Sequence, residues 1–250
     1  MNAMWSEAKA RVSHRLATHL SVEPFRLLNE TPMVSFTFDD IPKSAATTGA
    51  KLLEDHDARG TFYVSGGLVG TETSDWTAVD GQDIVDLHRH GHEIGCHTFS
   101  HKRTCDLGAE ALAAEIAQNR RYLRALDPSI KVGNFAYPFG YGSFGRKGQL
   151  KQAFQSCRSI VPGINSDTVD LQFLRAMPLI DHRIGRDEIE RAFDQAQTYN
   201  GWLIFYTHDV AGRPSEYGCS PDLMNHALEA ASHRRIPVLN MAEALLCAGV

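Results

Sequence analysis

The chain has 250 residues, of which 43% are hydrophobic and 22% charged, and its formal net charge is −5. This length and composition suit one large α/β domain with a sizeable core. Its scattered Lys and Arg residues form no basic patch, which excludes nucleic acid as an expected partner. No run of 18 apolar residues predicts a transmembrane helix, and the first 20 residues lack the apolar core of a secretory signal. A cytoplasmic protein is therefore expected.

The first 20 residues predict a helix with one apolar stripe and basic residues beside it. The stripe consists of Trp5, Ala8, Val12, Leu16 and Leu20. We expect the stripe to pack onto the domain that follows, with contact to an anionic membrane surface as the alternative.

Beyond residue 30, β-rich apolar runs alternate with helical periodicity, which is typical of an α/β fold with parallel strands. Strands are predicted at 33–38, 60–64, 92–96, 134–137, 157–161, 176–180 and 202–207. Helices are predicted near 45–58, 80–90, 109–126, 146–155, 186–199 and 221–233. This pattern predicts a distorted, seven-stranded (β/α) barrel, with an open doubly wound sheet as the alternative.

Titratable residues recur where the predicted strands end. Asp39 and Asp40 follow the first strand, His97 follows the third, and His208 follows the last. The carboxyl ends of parallel strands meet at one edge of the sheet, where such folds place their chemistry. We therefore expect these side chains to lie close together.

The strongest local signal is the segment HTFSH, from His97 to His101. Two histidines at i and i+4 face the same side of a helical turn and can hold one metal ion. A carboxylate from Asp39 or Asp40 would complete three protein ligands, and a divalent cation would offset the repulsion between these neighbours. This set of N and O ligands favours Zn2+, with Co2+, Mn2+ or Ni2+ as alternatives.

Four segments in this order, TFDD, HTFSH, FAYPFGYGS and LIFYTHD, resemble the motifs of the polysaccharide deacetylases, carbohydrate esterase family four. The resemblance implies a distorted barrel and metal-assisted hydrolysis of N-acetyl, less often O-acetyl, groups on a carbohydrate. It also divides the chain into an N-terminal helical extension, residues 1–30, and a catalytic domain, residues 31–250.

Carried over residue by residue, the resemblance implies that Asp39 is the catalytic base. Asp40 matches a metal ligand, together with His97 and His101. Such a set suits amide hydrolysis, which needs an activated water, a polarised carbonyl and a proton for the leaving nitrogen.

The amide N–H of Phe139 matches the oxyanion donor, and His208 matches the catalytic acid. One departure concerns the third motif, which often carries an arginine that braces the base, where Ala136 stands in this chain. Arg175 is the candidate replacement. Asp181 is the candidate for the carboxylate that tunes the acid histidine.

Aromatic faces suit sugars, so Trp76 and Tyr141 are candidate substrate-binding residues. We expect a substrate with N-acetylhexosamine units, such as the precursor of a surface glycan or exopolysaccharide. Two alternatives stay open: an allantoinase-like hydrolase of a small cyclic amide, since some such relatives also lack the motif-three arginine, and a carbohydrate-binding relative without turnover. The sequence predicts no oligomeric state.

Overall fold

A computed structural model describes residues 3–250, with side-chain surroundings from residue 7 onward. The strands of this part are β1 (Pro24–Arg26), β2 (Met33–Asp39), β3 (Thr61–Val64), β4 (Glu93–Cys96), β5 (Asn134–Ala136), β6 (Ser156–Arg158), β7 (Thr168–Asp170), β8 (Met177–Pro178) and β9 (Trp202–Thr207). Its α-helices are α1 (Ala3–His19), α2 (Ala50–Asp55), α3 (Gly81–Arg89), α4 (Ala109–Leu126), α5 (Phe144–Lys151), α6 (Arg186–Thr198), α7 (Pro221–Arg234) and α8 (Met241–Ala248).

Seven parallel strands form one curled sheet in the order β6-β5-β4-β3-β2-β9-β8. The segment before β8 brings the two edges of this sheet together. Leu174 N–H donates to the Cys157 carbonyl (2.8 Å), and Ser159 N–H donates to the Leu174 carbonyl (2.8 Å). Followed around the sheet, the strands keep chain order, without the reversal of a doubly wound sheet. The fold is therefore the predicted distorted (β/α) barrel.

The strands β2 and β9 are buried at every position, as expected for parallel strands that are covered on both faces. Phe36 packs against Phe205 with ring centroids 5.4 Å apart, and Phe38 stacks on Phe62 at 4.5 Å. This dense packing gives the carboxyl ends of the central strands a rigid base.

Each predicted strand corresponds to an observed one, but three elements were missed. The two-stranded antiparallel pair of β1 and β7 is made of three-residue strands, which are too short for a clear alternation. Helix α8 has a signal in the sequence, because Asn240 and Glu243 form a capping box at its start.

Helix α1 packs on the barrel through a different face from the predicted one. Ala10 and Ala17 are buried, since small side chains allow a close approach. The predicted stripe is wrong where the structure describes it: Ala8, Val12, Leu16 and Leu20 are exposed. Trp5 lies outside the described side chains.

The five cysteines are unpaired thiols, and three of them are buried. Among residues 3–250, no helix has the length and apolar character needed to cross a membrane.

Candidate active site

A cavity of about 390 Å³ opens at the carboxyl ends of the central strands. The structure brings most of the predicted site residues together in its wall. The lining residues are Asp39, Asp40, Trp76, His97, His101, Phe139, Gly140, Tyr141, Ile160, Ile180, Arg183, Tyr206, His208 and Tyr217. Two predicted residues, Arg175 and Asp181, do not line it.

Three side chains at one end of the cavity could hold a metal ion. Asp40, His97 and His101 each offer one ligand atom, and these atoms all lie within 4.8 Å of one another. Asp40 Oδ1 is 3.3 Å from His101 Nε2 and 3.8 Å from His97 Nε2. This oxygen is buried and has no hydrogen-bond partner among the described residues. A buried carboxylate oxygen without a partner is costly, and a divalent cation would satisfy it.

The histidines are held in the form that binds metal. His97 Nδ1 lies 2.9 Å from the Ala136 carbonyl, to which it can donate, so Nε2 is left free to face Asp40. Burial lowers the pKa of His97 to about 3 and the pKa of His101 to about 4, so both rings are neutral at pH 7. Burial also raises the pKa of Asp40 to about 6.

The two histidines face each other without the helical turn that their spacing predicts. The segment after β4 is irregular, and Thr98 and His101 have φ values of 59° and 50°. Asp40 (55°), Ile41 (31°) and Phe139 (58°) share this left-handed backbone. Such strained residues persist where the surroundings hold them, and they cluster at functional sites.

Asp39 has a buried cationic partner that the sequence analysis missed. The Nη2 atom of Arg158, at the end of β6, donates a hydrogen bond to Asp39 Oδ1, and both side chains are buried. The guanidinium lies 5.1 Å from the Tyr63 ring centroid and 5.5 Å from that of Tyr206. Burial raises the pKa of Asp39, but the net pKa is lowered, chiefly by the charge and the hydrogen bond of the Arg158 guanidinium. Asp39 is therefore ionised.

Arg158 takes the place that Arg175 was expected to fill. Arg175 is exposed, and its Nη1 donates to the Pro162 carbonyl at 3.0 Å. Ala136 pairs with Arg158 across the sheet, so the brace of Asp39 comes from the adjacent strand. The sequence held one signal for this role: Arg158 is a charged residue inside the predicted buried strand 157–161, where a charge needs a partner.

His208 lies in the cavity wall between Asp40 and Tyr217. Its Nε2 atom is 4.0 Å from Asp40 Oδ2, and its Nδ1 atom is 3.2 Å from the Tyr217 carbonyl, to which it can donate. The predicted tuning residue is wrong, because Asp181 is exposed and accepts hydrogen bonds from Ser220 at the start of α7. A backbone carbonyl orients this imidazole instead.

Phe139 presents a free backbone donor. Its N–H makes no hydrogen bond within the described part of the chain, and its φ of 58° is followed by 69° at Gly140. Its ring is largely exposed and lies 4.4 Å from the His101 ring. An amide N–H next to a metal-ligand set can stabilise negative charge on a substrate oxygen.

Trp76 and Tyr141 are half-buried and line the cavity. The Trp76 ring lies 5.8 Å from His208 and 6.4 Å from Tyr217, so it extends the wall beside the imidazole. Further lining residues that the sequence analysis missed are Ile160, Ile180, Arg183, Tyr206 and Tyr217. The two isoleucines and two tyrosines, together with the Arg183 guanidinium, complete a cavity of the size that holds a small ligand.

The sequence profile described as "Polysaccharide deacetylase" matches residues 28–153, half of the chain. The chain belongs to the polysaccharide deacetylase family. It is 27% identical over 116 residues to a chitooligosaccharide deacetylase of Azorhizobium caulinodans, an alignment that covers 46% of this chain and 51% of the relative. The chain thus spans about half the length of the curated relative that it matches.

Solved structures of this family share the fold. The chitin deacetylase of Colletotrichum lindemuthianum aligns with a TM-score of 0.65 at 15% identity, covering 88% of this chain and 89% of that one. A family 4 acetyl xylan esterase of Clostridium thermocellum, solved with a cobalt ion, aligns with a TM-score of 0.61 at 20% identity, covering 87% and 92%. This member of the polysaccharide deacetylase family therefore has the same barrel fold as these structures.

Proposed function

We propose that this protein is a metal-dependent carbohydrate N-deacetylase, which removes N-acetyl groups from N-acetylhexosamine units of an oligosaccharide or polysaccharide. One observation carries the proposal. An ionised, buried Asp39 lies beside a set of three ligand residues whose carboxylate oxygen lacks a partner. This pairing of a base with a metal-ligand set is what hydrolysis of an amide by water requires.

Asp40, His97 and His101 would hold the ion, and zinc suits their N and O donors. When bound, the ion supplies Lewis-acid chemistry that polarises the acetyl carbonyl and makes water more acidic. Asp39 accepts the proton of the attacking water, since Arg158 keeps it ionised. A base positioned in this way contributes about 10²–10⁴-fold to the rate.

Two further groups complete the reaction. The Phe139 N–H donates to the carbonyl oxygen as negative charge develops there. His208 gives a proton from Nε2 to the departing nitrogen, while its Nδ1–H stays on the Tyr217 carbonyl. The products are acetate and an amino sugar. Asp39 then releases to solvent the proton that it took from water, and His208 regains from solvent the proton that it gave.

Trp76 and Tyr141 would contact the sugar ring. They line the cavity from positions next to His208 and next to the Phe139 turn. The family relationship supports an N-acetylated carbohydrate as the partner.

The test is acetate release from an N-acetylglucosamine tetramer by zinc-loaded protein, with Asp39→Asn, His101→Ala and, as a matched control, His88→Ala, which changes a half-buried histidine outside the cavity. We expect both site variants to lose at least about 10²-fold in rate and His88→Ala to keep it. Asp39→Asn should retain zinc, whereas His101→Ala should not.

Two results would contradict the proposal. Hydrolysis of allantoin or another cyclic amide, with no acetate from any glycan, would identify a small-amide hydrolase. Binding of the tetramer by the zinc-loaded protein without any release of acetate would identify a carbohydrate-binding relative.

A further inference from the structure

Helix α1 lies before the residues that the family profile matches, which begin at residue 28. It nevertheless holds the segment that follows Phe139. His14 Nδ1 accepts a hydrogen bond from the Gly142 N–H at 3.1 Å. On the same helix, Ser13 Oγ accepts one from the Phe144 N–H at 3.1 Å. Two backbone donors near the proposed oxyanion donor are thus satisfied by α1.

The same helix also supports the Tyr141 side chain in the cavity wall. The His14 ring lies 5.3 Å from the Tyr141 ring. The Arg103 guanidinium lies 5.4 Å from the Tyr141 ring centroid, and Glu7 of α1 accepts a hydrogen bond from it at 2.7 Å. Tyr141 therefore contacts α1 directly and through Arg103.

A buried lysine anchors α1 to the barrel. The Nζ atom of Lys147, which is fully buried, donates to the carbonyls of Ala17 (2.9 Å) and Leu20 (2.8 Å) and pairs with Asp170. These carbonyls belong to the last turn of α1 and its end, so the cation also satisfies groups that a helix leaves unpaired. The anchor fixes the position from which His14 reaches Gly142.

The turn at Phe139 needs such support. Phe139 and Gly140 have successive positive φ values of 58° and 69°, which are unfavourable for a residue with a side chain. A strained conformation persists only where the surrounding structure determines it. Gly142 is also tightly packed, because a Cβ atom there would lie 2.1 Å from the Phe173 ring.

We propose that His14 is a positioning residue that holds the turn from 138 to 142, so that the Phe139 N–H stays directed at the reacting carbonyl. The proposal rests on the proposed deacetylase function. The hydrogen bond needs an unprotonated Nδ1, and burial lowers the pKa of His14, which keeps the ring neutral. His14 acts through the backbone and does not line the cavity.

The experiment compares His14→Ala, His14→Asn and Leu16→Ala in the zinc-loaded chain of 250 residues. Asn can place its Oδ1 atom near the former Nδ1 and accept the same hydrogen bond, whereas Leu16 is an exposed control on the same helix. Hydrogen exchange of residues 138–144, read by mass spectrometry, reports on the turn without any substrate. Acetate release from the N-acetylglucosamine tetramer reports on the effect of the turn on catalysis.

We expect His14→Ala to speed exchange of this segment by about tenfold or more, which reflects the lost Gly142 bond. Its kcat should fall by about tenfold with KM within twofold, because the oxyanion donor acts in the transition state. His14→Asn should restore both quantities to within about threefold of the wild type, and Leu16→Ala should change neither.

Unchanged exchange in His14→Ala would overturn the inference, as would a rise in KM with kcat unchanged. Equal losses in His14→Ala and His14→Asn would also overturn it, since loss of general packing would then suffice. Faster exchange in His14→Ala that His14→Asn reverses, in a wild type that releases no acetate, would support the positioning of the turn while rejecting the deacetylase function.

Discussion

Arg158 donates a hydrogen bond to Asp39 inside the barrel, from the strand adjacent to the one that carries Ala136. The proposed base thus keeps a buried cationic partner although the usual motif position holds alanine. The geometry allows the exchange because Ala136 and Arg158 are register partners on β5 and β6. A long arginine side chain can therefore reach the same carboxylate from either strand.

Replacing Arg158 by Gln should lower kcat by about 10²-fold or more, since Asp39 loses the group that keeps it ionised. Burial then dominates, the pKa of Asp39 rises, and the acid limb of the kcat/KM profile should move to higher pH. Breaking a buried pair also costs about 3–5 kcal/mol of unfolding free energy. Arg175→Gln, which removes an exposed arginine, is the matched control. An unshifted acid limb in Arg158→Gln would contradict the assigned partner.

The double variant Ala136→Arg with Arg158→Ala tests whether the two strand positions are interchangeable. We expect the double variant to be at least about tenfold more active than Arg158→Ala, because a guanidinium again reaches Asp39. Activity and thermal unfolding of all three variants check this. The prediction is wrong if the double variant is as stable as Arg158→Ala but no more active. Pairing of the two positions in the sheet would then not make them interchangeable.

Metal affinity should depend on pH through Asp40. Burial raises its pKa to about 6, while the pKa values of His97 and His101 are lowered to about 3 and about 4. Below about pH 6 a proton on Asp40 therefore competes with the metal, and the histidines do not. Zinc affinity, measured by competition with a chelator, should fall about tenfold per pH unit from pH 6 to pH 5 and stay level from pH 7 to pH 8.

Asp40 also makes the stability of the metal-free protein depend on pH. The folded pKa of Asp40 lies above the value of about 3.9 for an unfolded chain. The folded metal-free protein therefore binds more protons than the unfolded one between about pH 4 and pH 6, and the contribution of Asp40 to stability falls as pH rises through this window. Asp40→Asn lacks this titration, so the unfolding free energy of the wild type should fall relative to that of the variant as pH rises from about 4 to about 6. A pH-independent difference would contradict it.

Trp76→Ala should raise KM for the tetramer by about tenfold and change kcat by less than about threefold. The ring lines the cavity beside His208 and is not one of the proposed metal ligands, so its loss removes binding in ground state and transition state alike. Trp76→Phe, which keeps an aromatic face, is the control. An equal fall in kcat and kcat/KM would assign Trp76 to the chemistry of His208 instead.

Lys147→Met should destabilise the protein by about 3 kcal/mol, because it leaves Asp170 without its buried cation and two carbonyls of the α1 end without a donor. Lys151→Met removes a half-exposed lysine that pairs with Glu23 at 3.4 Å, and it should cost less than about 1 kcal/mol. Urea unfolding of both variants provides the measurement. Equal effects would show that Lys147 is not the anchor of α1.

The sequence by itself determined the elements that depend on residues close together in the chain. Strands 33–38 and 202–207 were predictable because their apolar runs are long enough to cross a buried sheet, and polar residues end them abruptly. Since parallel strands present their carboxyl ends at one edge, the meeting of Asp40, His97 and His208 followed from strand order alone.

The tertiary structure decided what depends on side chains that are distant in the chain. Arg158 and Arg175 are both charged residues near strand ends, and the register of β5 with β6 selects the first as the partner of Asp39. Likewise, the apolar stripe of α1 predicted the wrong packing face, because the small residues Ala10 and Ala17 approach the barrel more closely than Val12 or Leu16 could. Local periodicity shows which residues share a face, whereas the neighbouring surface determines which face it accepts.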